Sequence, residues 1–183
     1  MAGSVTRPNG DFLDLPPNVG RRVRGAGGAM GAGQTFAGIV IAALSGGLAA
    51  GQHSLGDPLW VINLVGVVPP LLVVALGVGL FRARGCVSGD RLLLAKAGRV
   101  RAGLRGVWLA IVVTAVLIIV ALAVGLSIAS KDSAVAGNLS LLDGAAFAIP
   151  VVTAVVGSVG FLVGRNLLPP PPDVLAKAWS AVR

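Results

Sequence analysis

Four long apolar runs, separated by polar segments, dominate the pattern of the chain. They cover residues 33–51, 59–81, 107–129 and 145–168. Each run is close to the roughly 20 apolar residues that an α-helix needs to cross a bilayer. Backbone groups in lipid must be paired within their own element, which favours helices over isolated strands. The pattern therefore predicts an all-α integral membrane protein whose core is a four-transmembrane-helix bundle.

The residues outside these runs predict two further regions. Residues 1–32 combine turn-forming Pro, Asn and Gly with a stretch of Gly and Ala, which predicts a flexible cytoplasmic N-terminal arm. Residues 33–168 make up the transmembrane domain. Residues 169–183 begin with the run Pro169–Pro172, which predicts a stiff polyproline spacer before a short interfacial C-terminal helix.

Composition supports lipid as the solvent of this chain. Hydrophobic residues make up 55% and charged residues 12%, with a mean hydropathy of +0.89, whereas soluble domains have about 25% charged residues. The net charge of +8 could indicate nucleic acid, but the cations flank the apolar runs and the chain has no Tyr and few other aromatic rings to stack on bases. We therefore expect no nucleic-acid partner, and contact with a bilayer that carries anionic headgroups. The excess of Arg over Lys and the absence of Glu point to a GC-rich bacterium, and so to the inner (cytoplasmic) membrane.

A basic segment with a single acid, Asp90, lies between the second and third runs. Cations are costly to move through hydrocarbon, so we expect this segment and both termini, N and C, to be cytoplasmic. An apolar stripe at helical spacing predicts that the segment is amphipathic and lies in the headgroup plane. The stripe consists of Leu93, Ala97, Val100 and Leu104. The cations expected to contact anionic lipid or an acidic partner are Arg82, Arg84, Arg91, Lys96, Arg99, Arg101 and Arg105.

Small residues recur at helical spacing in the first and fourth runs. Such rows allow another helix to come close enough for dispersion contacts to drive association in lipid. The partner is either an internal helix, with the fourth packed against the first, or another chain. The predicted helix-packing positions are Gly38, Ala42, Gly46, Ala50, Gly157, Gly160 and Gly164.

Two consecutive prolines, Pro69 and Pro70, interrupt the second run near its middle. They remove the partners of the Val65 and Gly66 carbonyls, so a kink is expected whose open side faces protein or water. Asn63 should also point inward, where its amide can bond a neighbouring helix. The sequence leaves open whether this region is a hinge with a small cavity or a kink that only wedges helices together.

Residues able to carry out acid–base, nucleophilic or metal chemistry are scarce. Apart from Arg165, which ends the fourth span at the cytoplasmic face, the predicted spans contain no Asp, Glu, Lys, Arg or His, and the chain has one His and one Cys. We therefore expect neither enzyme activity nor a cofactor or metal site. His53 and Asp57 lie at i+4 spacing in the first outer loop, where they form either a pH-sensing pair or an ordinary turn.

These patterns predict a non-enzymatic accessory, scaffold or assembly subunit of a larger membrane complex, whose partners are other membrane proteins or further copies of itself. The alternative is a small homo-oligomeric transporter or holin-like pore. A pore should place polar side chains around one continuous wet path, whereas a scaffold should have a dry interior and an exposed row of small residues. The polar side chains in question are Asn63, Thr114, Thr153 and Ser158.

Overall fold

The computed structural model describes residues 12–15, 17–57, 59–89, 91–129 and 141–168. Residues 1–11 of the predicted arm and the whole of the predicted C-terminal region lie outside this part. The elements are β1 (Phe12–Asp14), α1 (Pro17–Ser54), α2 (Trp60–Val65), α3 (Val68–Arg84), β2 (Val87–Ser88), β3 (Arg91–Leu93), α4 (Leu94–Ala129) and α5 (Leu141–Leu167).

In the described part of the chain, four helical segments are long and apolar enough to cross a membrane. They are Val19–Ser54, Trp60–Arg84, Leu94–Ile128 and Gly144–Leu167, where the second combines α2 and α3. Each covers one of the four apolar runs to within one residue, because sustained hydropathy over this length leaves a helix as the element that pairs its own backbone. The prediction of a mostly helical chain with four such segments is confirmed.

The first helix begins well before the predicted boundary. Residues 17–32 were expected to belong to the flexible arm, but they form the N-terminal part of the 38-residue α1. At 1.5 Å per residue α1 is about 57 Å long, well beyond a hydrocarbon core of about 30 Å. The Gly and Ala stretch that suggested irregular chain includes Gly27 and Gly31, which are buried against other elements, as is Gly20 before it. Tertiary packing has therefore overridden their low helix propensity.

The basic segment likewise differs from its prediction, because it forms no separate interfacial helix. α4 begins at Leu94 and continues without interruption through the third apolar run, for 36 residues. Ala97 and Leu104 of the predicted apolar stripe are buried in the main core, and Val100 packs against that core. The stripe is therefore covered by protein, so it does not lie flat against headgroups.

A three-stranded antiparallel sheet, in the order β1-β3-β2, was not predicted. β2 and β3 form a hairpin in which Val87 pairs with Leu92. Its turn includes Gly89 at φ +61°, a left-handed conformation that favours glycine. β1 joins the other side of β3, with Phe12 opposite Leu93. Strands of two or three residues are too short to show an alternating pattern in the sequence, which explains why the sheet was missed.

α3 occupies the centre of the bundle, in contact with α1, α4 and α5. Its Val73, Leu76 and Leu80 are completely buried. They belong to a main core that continues into the hairpin through Cys86 and Leu92. A smaller cluster lies at the opposite end of the bundle and includes Leu48, Ile118, Leu122 and Ala146. The sheet is thus joined to the helices by one continuous apolar core.

Candidate functional site

α1 and α3 approach each other closely along a row of glycines. A Cβ atom at Gly38 would lie 2.8 Å from the Val74 nitrogen and 2.9 Å from the Pro70 carbonyl oxygen. A Cβ atom at Gly31 would lie 3.0 Å from the Gly77 carbonyl oxygen. These neighbours are backbone atoms, which cannot move aside as a side chain can. The missing Cβ atoms therefore set the distance between the two helices.

The predicted packing row on α1 coincides with this contact only at Gly38. Ala42 and Gly46 are half-buried and Ala50 is exposed. Steps of four residues advance about 40° around a helix each time, so such a row winds away from a partner. The buried row, here called the inner seam, alternates steps of four and three. It consists of Gly27, Gly31, Gln34, Gly38, Ile41, Ser45, Leu48 and Gln52.

The three predicted glycines of α5 are all buried in helix contacts. Gly157 and Gly164 lie against α4, and Gly160 lies against Gln34 of α1. Gln34 donates a 3.0 Å hydrogen bond from Nε2 to the Val156 carbonyl of α5. The first and last spanning helices therefore touch, as expected, but the main glycine contact of α1 is with α3.

The second span is broken where the sequence predicted a kink. The break lies at Gly66 and Val67, and the buried Pro69 and Pro70 occupy the first turn of α3. A proline there removes no intrahelical hydrogen bond. The Gly66 carbonyl accepts a 3.5 Å hydrogen bond from the Ser45 hydroxyl of α1. A neighbouring helix thus supplies the polar partner that the break requires.

Asn63 points into the bundle and joins α2 to α1. Its side-chain nitrogen donates to Gln52 Oε1 at 2.6 Å and to the Leu59 carbonyl at 3.5 Å. Gln52 is completely buried, and neither its Nε2 atom nor Gln34 Oε1 has a hydrogen-bond partner within the described residues. Sequence reasoning overlooked Gln34 and assigned Gln52 to the outer loop. Their place in the four-three alternation of the inner seam is the signal that could have found them.

The three other polar side chains that a pore was expected to place on its path are satisfied separately. Thr114 donates a 2.6 Å hydrogen bond to the Ala110 carbonyl on its own helix. Thr153 likewise donates a 2.7 Å hydrogen bond to the Ile149 carbonyl, four residues earlier on its own helix. Ser158 accepts a 3.1 Å hydrogen bond from Trp108 Nε1. None of these groups bonds to another or to Asn63, so they form local contacts at different places in the bundle.

Every Lys and Arg in the described residues lies at one end of the bundle, here called the basic end. The set is Arg21, Arg22, Arg24, Arg82, Arg84, Arg91, Lys96, Arg99, Arg101, Arg105 and Arg165. Lys96 donates from Nζ to the Gly85 carbonyl at 2.8 Å, and Arg101 donates to the Leu168 carbonyl at 2.9 Å. These carbonyls follow α3 and α5, where the partial negative charge of a helix C-terminus favours a cation.

The cysteine of the hairpin and the first outer loop have mainly structural contacts. Cys86 is completely buried, and desolvation raises the pKa of its thiol despite the nearby Lys96. Asp57 accepts a 2.9 Å hydrogen bond from the Leu59 N–H, as the turn interpretation of that loop predicted. The ring of His53 lies against Trp60, with the ring centroids 4.7 Å apart.

Ligands for a metal are not clustered in the part of the chain that the structure describes, where no three His, Cys, Asp or Glu side chains come together. No protein-family model matches the chain, and neither a curated protein nor a solved structure shows significant similarity to it.

Proposed function

We propose that this chain is a multi-pass protein of the bacterial cytoplasmic membrane and that it serves as an accessory, scaffold or assembly subunit of a larger membrane complex. The observation that carries the proposal is a second row on α1, in which five of seven residues are Gly or Ala. This row is exposed and therefore available to another protein.

This row, here called the outer seam, runs along the side of α1 that the bundle leaves uncovered. It consists of Ala29, Gly33, Phe36, Val40, Ala43, Gly47 and Ala50, all of them exposed. The positions alternate steps of four and three, the repeat with which one helix follows another in a left-handed coiled coil. A Cβ atom at Gly33 or Gly47 would meet no atom within 4 Å, and Phe36 is 70% exposed between them.

An exposed seam of this kind is best explained by a partner helix. Lipid tails are as apolar as Leu, so helices in a bilayer associate through close packing, and small residues permit it. The inner seam already uses this principle, since its glycines bring α1 against α3. Glycine on a helix surface costs roughly 1 kcal/mol relative to alanine, and a packed partner offsets that cost.

The interior of the bundle favours a scaffold over a channel within one chain. Asn63, Thr114, Thr153 and Ser158 bond at separate places, so they do not combine into a polar path. A homo-oligomeric transporter or holin-like pore is the second candidate, because a seam that accepts a foreign helix also accepts α1 of another copy.

The charge distribution supports cytoplasmic placement of the basic end. Lys and Arg accumulate on the cytoplasmic side of membrane proteins, and here they gather at the ends of α3 and α5 and at the starts of α1 and α4. This orientation puts both chain termini in the cytoplasm.

The proposal is tested by Gly47→Leu, which fills the outer seam, with Gly106→Leu on the exposed surface of α4 as the matched control. Both glycines have open space at the Cβ position, so both variants should fold. The native complex is purified in mild detergent and its subunits are counted. We expect a stoichiometric membrane partner that Gly47→Leu loses and Gly106→Leu keeps. A homo-oligomer that conducts ions in liposomes would favour the pore, and a monomer without partner or flux would contradict both functions.

A further inference from the structure

A groove of about 550 Å³ separates α3 from α4 on the outer surface of the bundle. α3 lines it with Val78, Gly79 and Arg82, and α4 lines it with Arg99, Gly103 and Val107. Its size is within the usual range of sites for small organic molecules.

The floor and the opening of the groove both depend on glycine. A Cβ atom at Gly79 would lie 2.8 Å from Leu104 Cδ2, so α3 and α4 touch at this point and close the floor. A Cβ atom at Gly103 would meet no atom within 4 Å. Gly103 therefore leaves the space above the floor open, and a side chain there would enter the groove without moving the backbone.

The polarity of the groove changes along its length. α3 and α4 run in opposite directions, which brings Arg82 and Arg99 to the basic end of the groove. Val107 and the Ala75 methyl lie at its other end, about 10 Å away at the rise of an α-helix. No lining residue is acidic, and all lining residues except the two arginines are apolar or glycine. An occupant must therefore combine an anionic group with an apolar body.

We propose that this groove binds one anionic phospholipid, with its phosphate at Arg82 and Arg99 and an acyl chain along Val78 and Val107. Guanidinium groups match the geometry of phosphate oxygens and bond them in pairs. The groove is charged at the basic end and apolar beyond it. A phospholipid has the same arrangement, with a charged headgroup followed by an apolar acyl chain. A partner helix fits less well, because a helix of about 10 Å diameter needs an apolar seam, whereas two arginines line this groove.

The inference rests on the membrane placement proposed above, but it does not require a partner subunit. A monomer that lacks any partner would contradict the scaffold function and leave lipid binding measurable. Loss of lipid selectivity with an intact complex would contradict the lipid site and leave the scaffold function standing.

Native mass spectrometry of the full chain in a neutral detergent tests the site. The probes are phosphatidylglycerol, phosphatidylcholine with the same acyl chains, and inorganic phosphate. We expect one phosphatidylglycerol to be retained, at least about tenfold more tightly than phosphatidylcholine. Both lipids offer a phosphate, but the choline cation of phosphatidylcholine is repelled by the two arginines, whereas phosphatidylglycerol keeps a net negative charge. Inorganic phosphate should not compete, since it lacks the apolar part.

Two independent variants remove the site, each with a matched control. Arg82→Gln combined with Arg99→Gln removes the charge, and its control is Arg22→Gln combined with Arg105→Gln, two exposed cations outside the groove. Gly103→Leu fills the groove, and its control is Gly98→Leu, which lies about 140° around α4 and also has open space at Cβ.

Selectivity should fall about tenfold in both site variants and persist in both controls, with helical content and monodispersity unchanged. Equal losses in the charge variant and its control would show general attraction to the basic end and overturn the specific site. Unchanged binding in Gly103→Leu, equal retention of the two lipids, or displacement by inorganic phosphate would overturn it as well.

Discussion

Gly38 shows how one missing side chain determines the distance between two helices. A methyl group at this position would press on backbone atoms of Val74 and Pro70 at 2.8 and 2.9 Å. Gly38→Ala should therefore destabilise the bundle by about 1–3 kcal/mol, as overpacked sites do. The measurement is unfolding in mixed detergent followed by circular dichroism.

Gly46 supplies the matched control for this prediction on the same helix. It has open space at the Cβ position, so Gly46→Ala should be neutral or stabilise the bundle by up to about 1 kcal/mol through helix propensity. If the two alanine variants unfolded alike, helix propensity alone would explain the effect, and the close approach of α1 and α3 would not be needed.

Cys86 offers a second test at a single residue. Burial raises the pKa of its thiol, so at any given pH the reactive thiolate is scarcer than in an ordinary cysteine. Maleimide should label Cys86 at least about tenfold more slowly than an exposed cysteine made by Ser88→Cys in a Cys86→Ser chain, since burial limits both ionisation and access. Labelling of Cys86 should become faster as pH rises and should equal that of the control after denaturation. Equal rates in the folded protein would mean that the hairpin does not cover the thiol.

At the scale of elements, the bond between Asn63 and Gln52 holds the short α2 against α1. Asn63→Leu removes the 2.6 Å contact and leaves the amide of the buried Gln52 without its partner. We expect a loss of about 1–2 kcal/mol in the unfolding free energy, close to the upper range for polar contacts between membrane helices.

Thr114→Val is the control for the Asn63 variant, because the Thr114 hydroxyl donates only to carbonyls of its own helix. Thr114→Val should lower the unfolding free energy much less than Asn63→Leu does. A comparable loss in both variants would indicate a general effect of changing polar groups, and would argue against a specific link between α1 and α2.

The elements also show how far the sequence could predict the fold. Hydropathy identified four helices that are long enough to cross a membrane because each apolar run is long, and local rules identified the break near Pro69 and Pro70. The same local rules missed residues 17–32 of α1, whose helix depends on glycines packed against distant backbone. They also missed the sheet, because β1 and β3 are far apart in sequence and very short.

The candidate sites also depend partly on residue type, which the sequence shows directly, and partly on packing between segments that are far apart in the sequence. The two arginines of the groove belong to the cations that the sequence predicted to contact anionic groups, but their alignment on one groove depends on the antiparallel register of α3 and α4. The outer seam could be recognised only after the buried side of α1 was known, since Gly and Ala occur on both sides of that helix. Packing between distant segments therefore decides which of several plausible rows becomes a surface.

The two ends of the molecule differ in charge, because the Lys and Arg side chains of the described residues lie at one end of its long axis. α1 and α4 contain 38 and 36 residues, about 57 and 54 Å, so both extend well past a hydrocarbon core of about 30 Å. The excess length lies at the basic end, where the sheet packs against the helices through Val87 and Leu92. In the orientation proposed above, this cationic head would lie on the cytoplasmic side and would suit both headgroup contact and the docking of a partner's cytoplasmic loops.

The orientation of this head is testable with two cysteines in a Cys86→Ser chain. Ser88→Cys lies in the exposed part of the hairpin at the basic end, and Leu55→Cys lies at the opposite end, where Leu55 is 71% exposed. Because cations remain on the cytoplasmic side, a membrane-impermeant maleimide should label Leu55→Cys in intact cells and label Ser88→Cys only after permeabilisation. Labelling of both only after permeabilisation would exclude a spanning bundle, and the reverse pattern would place the arginines outside the cell. Either result would remove the basis for the cytoplasmic head and for headgroup binding at the inner leaflet.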